Sequence, residues 1–324
     1  MRIVVLHDAV NEGARPDLAD NLVQARQAAR CLGELGHQAE LMAWESPLSA
    51  TLQRLTARRP EAVFNLVEEP LGRASRIAAA PYLLARRGLS FTGAGGRAML
   101  LTSHKLLAKR TLRRAGLPTP AWRGPDGQGS EPQQGPWFIK SIWEHGSLGI
   151  DETSLVPRTR DLAPAMAAKQ AQLGGRVFAE AYIEGREFNL ALLAGRGGPR
   201  CLPPAEIVFG DFAPAQLRVV GFRAKWEAGS FEYAHTPRRF DFPAEDRWLL
   251  GEQQRLARAC WQLFGLRGWA RVDFRVDRLG RPWILEVNAN PCLSGDAGFV
   301  AAAAQRGLDQ KAVVAAILAD AHRG

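Results

Sequence analysis

The stretch RPWILEVNANP (281–291) sets Glu286 and Asn288 among Trp283, Ile284, Leu285 and Val287, where a carboxylate without a partner is costly to bury. Just upstream, WARVDFRV (269–276) alternates Trp269, Arg271, Asp273 and Arg275 against Ala270, Val272, Phe274 and Val276. PWILEVN alternates Ile284, Glu286 and Asn288 against Trp283, Leu285 and Val287. These period-two patterns predict two strands, each with a polar and an apolar face, joined by the turn DRLGR (277–281). Opposed residues of an antiparallel pair point to the same side, so the apolar faces coincide in a register that sets Asp273 opposite Glu286. Two neighbouring carboxylates on a half-buried face repel, and one takes up a proton unless a cation lies between them. That cation is either an arginine of the same face, Arg271 or Arg275, in a salt-bridge network, or a hard divalent ion. Magnesium takes oxygen ligands, keeps waters and shares carboxylates with substrate phosphates; an Asn carbonyl adds a neutral ligand.

Such a hairpin needs elements to hold it. RIVVLHD (2–8) predicts a buried strand, followed by a helix from Asp17 to about Leu35, a stop at Gly36 and a strand in AELMAW. RPEAVFNLVEEP (59–70) predicts a third strand, then an alanine-rich helix over 74–87. Strand and helix in short alternation imply a parallel sheet with right-handed crossovers. SHKLLAKRTLRRAG (103–116) predicts a helix, GPDGQGSEPQQGP (124–136) a polar loop, and WFIKSIWEHGSLGI (137–150) a strand followed by a glycine-containing loop. A helix over 161–173 and the strand RVFAEAYI (176–183) complete a middle unit. Beyond it come strands near 188–193, 204–209 and 219–225, a helix over 245–264, the hairpin and a helix from 308.

A chain of 324 residues exceeds one hydrophobic core, and 46% hydrophobic residues supply ample core material. No apolar run reaches the roughly 18 to 20 residues of a membrane-spanning helix, and MRIVVLHDAV is too short and wrongly flanked for a signal peptide. The expectation is a soluble cytoplasmic protein with no membrane partner. Cys31, Cys201, Cys260 and Cys292 lack CxxC spacing, which argues against a zinc site or a disulfide framework. The net charge of +9 is mostly arginine spread along the chain, which argues against a nucleic-acid partner and suits a phosphate-bearing small ligand.

Taken together, GLRGWARVDFRVDRLGRPWILEVNANP (265–291) resembles the C-terminal signature of ATP-grasp enzymes, in particular the D-alanine–D-alanine ligase branch. The resemblance extends upstream through SHKLLAKRTLRRAGLPTP, WFIKSIWEHGSLGI, FAEAYIEGREFNLALL, LPPAEIVF and FRAKW, in the family's order. It implies an ATP-grasp fold, α/β with an α+β ATP-binding part, behind an N-terminal Rossmann-like parallel-sheet domain. The domains are then expected at 1–97, 98–185 and 186–324. It implies two Mg²⁺ ions, or Mn²⁺, on Asp273, Glu286 and Asn288, with Arg271 and Ser147 as catalytic residues. Lys105, Lys140 and Lys225 would meet ATP phosphates, Glu180 and the Ala181, Tyr182 and Ile183 backbone the adenine, and Glu187 the ribose. EHGSLGI would fold over the phosphates. The implied activity activates a carboxylate as an acylphosphate and lets an amine attack it, releasing ADP and phosphate; a homodimer is expected by analogy.

Both substrate ends depart from the D-alanine pattern. The family's glycine-rich segment after the first strand is replaced by HDAVNEGARPD, and its HG..GEDG segment by NLVEEPLGRASR (65–76). After NANP the chain continues CLSGDAGF, where Ser294, Gly295 and Asp296 are candidates for the acceptor, Asp296 for a cationic or amino group; a capped helix start is the alternative. EEPLGR and SFEYAHTPRR (230–239) are expected to shape the pocket. The expected substrates are another amino acid or a similar metabolite. A true D-alanine–D-alanine ligase is the alternative, and a catalytically silent ATP-binding regulatory protein the rival from another class.

Overall fold

The computed structural model describes residues 1–129, 135–213 and 216–323, so part of the expected polar loop, 130–134, lies outside the described residues. The chain opens as β1 (Arg2–Asp8), α1 (Pro16–Glu34), β2 (Gln38–Trp44), α2 (Leu48–Ala57), β3 (Ala62–Asn65), α3 (Ala79–Arg86) and β4 (Ser90–Phe91). β2, β1, β3 and β4 pair in parallel. The helix expected over 74–87 is a 3-10 turn at 74–76 followed by α3. Pro81 explains the division: it fits the first turn of a helix begun at Ala79 but breaks the interior of one begun at 74.

Two helices, α4 (Gly96–Ser103) and α5 (Lys105–Arg114), lead to a second sheet of β5 (Trp122–Arg123), β6 (Trp137–Ser141), β7 (Leu155–Val156) and, after α6 (Leu162–Leu173), β8 (Val177–Ala181). Its order is β5-β8-β6-β7, all antiparallel. The side chain of His104 caps α5 by accepting from Leu107 N–H at 3.2 Å.

The third sheet gathers β9 (Gly185–Leu193), β10 (Arg200–Cys201), β11 (Ala205–Ile207), then, past α7 (Phe222–Trp226) and α8 (Phe231–Ala234), β12 (Arg238–Arg239), and, past α9 (Arg247–Phe264), β13 (Trp269–Asp277) and β14 (Pro282–Asn288). The strand expected over 219–225 is α7 instead. Val219 and Val220 are β-branched as in a strand, but Val220 O accepts from Ser147 Oγ at 2.8 Å, so this backbone serves a loop, not a neighbouring strand. The chain closes with α10 (Gly298–Ala304), α11 (Gln310–Ala319) and β15 (His322–Arg323), which pairs antiparallel with β4 in the first sheet.

The third sheet buries one face under α9, with Phe188, Leu190, Val272, Phe274, Ile284 and Val287 packed against Leu256, Ala257 and Cys260. Its other face changes character along the strands. At one end Ala191, Leu193 and Trp269 pack with Ile3, Val5, Phe64 and Phe299; at the other, Glu187, Asn189, Asp273 and Glu286 line a cavity. Cys31, Cys201 and Cys260 are buried free thiols and Cys292 is partly buried. Among the described residues no helix is long and apolar enough to cross a membrane.

Candidate active site

In the hairpin, Asp273 stands opposite Glu286 and Arg271 opposite Asn288, the register expected from the alternating pattern. Between Asp273 and Phe274 the pairing slips by one, leaving Leu285 as a bulge. The slip corrects the expected alternation: Ile284 lies in the core, fully buried, and Leu285 faces the cavity. Segment 117–119 meets the bulged edge, where Ile284 N–H donates to Pro118 O at 2.8 Å and Thr119 Oγ1 donates to Ile284 O at 2.9 Å.

On its other side β13 pairs with β9, which sets Asn189 beside Asp273 and Glu187 beside Arg275. Asp273 accepts two bonds from Arg271, at 2.7 and 2.9 Å, one from Asn189 Nδ2 at 2.8 Å and one from Asn288 Nδ2 at 3.1 Å. Of the two cations open to this face, the arginine is therefore in place at Asp273. Despite the cost of its burial, Arg271 is held above its ordinary range by that carboxylate. Glu286 Oε1 lies 3.4 Å from His145 Nδ1 and 3.6 Å from Lys105 Nζ. Burial opposes its ionisation, but Lys105, then His145, hold it well below the usual carboxylate range. The side-chain oxygens that could hold a metal on this face are those of Asp273, Glu286 and Asn288; among the described residues no three His, Cys, Asp or Glu side chains converge on one point.

Across the cavity, Glu180 on β8 is ion-paired with Lys109 at 2.6 Å and Lys140 at 2.5 Å. Burial favours its neutral form, yet the two lysines lower its pKa. Lys109 follows Lys105 by one helical turn, and that spacing was the signal for it in the sequence. Glu187 is raised by burial and opposed by Arg275, 3.4 Å away. Lys225, on α7, is lowered by burial and next by Arg271. In the loop 146–149, Gly146, Ser147 and Gly149 take left-handed backbone, with φ of 65, 65 and 73°. Trp226 Nε1 donates to Gly146 O at 3.0 Å, and a Cβ on Gly149 would lie 2.3 Å from Leu173.

One cavity of about 420 Å³ brings together Lys140, Ser147, residues 180–183, Glu187, Lys225, Arg271, Asp273, Glu286, Asn288, Ser294 and Asp296. Lys105 sits behind Glu286, not in the lining, and Gly295 is exposed outside it. Both pocket-shaping segments reach the same cavity, the first through Glu68 and Glu69, the second through Tyr233, Thr236, Pro237 and Arg238. Sequence reasoning passed over Asn189, His145, Asp8 and Asp20. Asn189 was readable from its alternation with Glu187 in REFNLALL; the others come together only through the packing of separate elements.

Comparison with known proteins follows the same lines. A family model described as the D-ala D-ala ligase C-terminus matches residues 128–319. A D-alanine–D-alanine ligase of Bordetella pertussis is 30% identical over 249 residues, 72% of this chain and 71% of that protein. The protein y4sG of Sinorhizobium fredii is 30% identical over 315 residues, 94% of this chain and 88% of its own length. The crystal structure of D-alanine–D-alanine ligase from Bacillus anthracis complexed with ATP superposes with a TM-score of 0.73 at 18% identity, covering 99% of this chain and 97% of that one. The shared architecture is the ATP-grasp fold.

Proposed function

The chain belongs to the D-alanine–D-alanine ligase family of ATP-grasp enzymes, and from that premise we propose that it joins a carboxylate to an amine through an acylphosphate, with release of ADP and phosphate. The observation that carries the reading is the opposed pair Asp273 and Glu286, facing a cavity that Lys140, Lys225 and Arg271 also enter.

The donor set suits magnesium. Two carboxylates and one amide oxygen are hard ligands, too few alone and sufficient with phosphate oxygens and water. Bound there, the metal would neutralise charge on the phosphates. The chain's own residues supply the remainder. Lys140 and Lys225 attract the phosphates, and Arg271 offers a planar guanidinium to a phosphoryl group in transfer, with Asp273 fixing its plane. Loop 146–149, tied down by Trp226 and by Ser147, covers the phosphates and keeps water from the acylphosphate. Lys109, by pairing with Glu180, leaves Lys140 positioned beside the nucleotide. Leu285 gives the base an apolar contact.

The name of the Bordetella relative favours a second reading, D-alanine as both substrates. Replacement of the family's segments at 7–17 and 65–76, and CLSGDAGF after Pro291, favour other amino acids or similar metabolites. The test is ADP release measured across pairs of carboxylates and amines, D- and L-amino acids included, with product masses. ADP is expected only when both partners are present. Asp273→Ala and Glu286→Ala should each lower that rate by about a hundredfold or more with circular dichroism unchanged. ATP turnover indifferent to every pair overturns the reading.

A further inference from the structure

The cavity wall built by β1, α1 and the segment after β3 is acidic, and much of that acid has no counter-charge. Asp8 ends β1 at 4% exposure. Its Oδ2 accepts the backbone N–H groups of Glu68 and Glu69, each at 2.7 Å, whereas its Oδ1 is buried without any partner among the described residues. Glu68 accepts from Gln24 Nε2 at 2.8 Å and from Asn21 Nδ2 at 3.4 Å. Asp20 accepts from the Cys292 thiol at 2.9 Å. Glu69 and Asp17 share Arg15, at 3.4 and 2.9 Å. Asp8, Asp20 and Glu68 have no such pairing among the described residues, and all three line the cavity. The neutral donors around them, Asn21 and Gln24, fix carboxylate orientation without cancelling charge.

We propose that Asp8, Glu68 and Asp20 receive a cationic group of the substrate, an ammonium or guanidinium that takes no part in bond formation, so that one of the two joined molecules is a basic amino acid or a polyamine. An attacking amine must be neutral to use its lone pair, whereas buried carboxylates stabilise the protonated form; the group held here is therefore not the nucleophile, and a control carrying the α-ammonium without a side-chain cation separates a basic side chain from the α-ammonium of the carboxylate donor. The wall meets the segment after β14, since Leu293 N–H donates to Gln24 Oε1 at 3.0 Å, so a molecule reaching the metal edge from that segment can place a second charge on it. In the ligand-free protein burial pushes Glu68 up to about 8 and Asp8 up to about 6, as suits carboxylates awaiting a counter-ion. The substrate class rests on the ligase reading; the site does not.

The full-length protein, with Mg²⁺ and a non-hydrolysable ATP analogue, is titrated by calorimetry with D- and L-lysine, ornithine, arginine and putrescine, and with norleucine as the uncharged match to lysine. At least one basic probe should bind, norleucine should not, and Asp8→Asn and Glu68→Gln should each weaken the basic probe by about thirtyfold while both bind the analogue as wild type does. The inference falls if no basic probe binds, if norleucine binds as well as lysine, or if both variants keep wild-type affinity. ADP release by neutral pairs with no gain from basic ones removes this inference and leaves the ligase reading. Charge-specific binding lost in both variants, without ADP release from any pair, keeps the site and removes the ligase reading.

Discussion

Lys109 shows how much the candidate site depends on a side chain outside the cavity lining. It is 1% exposed, donates to Thr119 Oγ1 at 3.0 Å and pairs with Glu180. Removing one member of a buried ion pair leaves the other charge uncompensated, so Lys109→Met should cost about 3 kcal/mol, read as a lower urea midpoint, and should weaken binding of an ATP analogue. The metal-edge residues were legible because alternation and charge repulsion act over a few neighbours: Asp273 facing Glu286 follows from two short strings. Asp8 and Glu68 were not, because they lie 60 residues apart and only the sheet brings them together.

Among the elements, the junction between the first and third sheets brings two backbones into close approach. Gly268, just before β13, has φ +66°, and a Cβ there would lie 3.0 Å from Gly93 backbone atoms. Gly93 in turn faces Trp269 and Asn290, with φ +84°. Gly268→Ala adds left-handed strain and a contact with backbone that cannot rotate away, and should cost about 2 kcal/mol in chemical denaturation. Helix and strand types were readable where one pattern held over a long run, as in α1 and α9. They were misread where a short β-branched run was claimed by a loop, as at Val219 and Val220. The bulge at Leu285 was invisible for a related reason: sequence alternation carries no mark of a skipped pairing partner.

For the whole molecule, the acidic wall sets the pH response. Burial raises Asp8 to about 6, Glu69 to about 7 and Glu68 to about 8, above their unfolded values. A carboxyl whose folded pKa is raised stabilises the protein fully below its unfolded pKa and loses that contribution as pH rises through the folded one. Glu286 and Glu180 run oppositely, stabilising above the unfolded value of 4.5 and losing it in acid. Stability of the ligand-free protein should therefore fall between about pH 5 and 8, with Glu68→Gln flattening the fall in urea midpoints. We place the unit borders near 97 and 185, as the motifs suggest, yet β15 returns to pair with β4, and His322 Nε2 lies 3.0 Å from Gly93 O. That pairing bears on synthesis. A ribosome makes β1 to β4 first, but their sheet lacks its fifth strand, and Ile3, Val5 and Phe64 lack Phe299 and Ile317 until the chain has been made through residue 322. The nascent first unit must then wait, half-covered, for the segments beyond residue 298 to finish it.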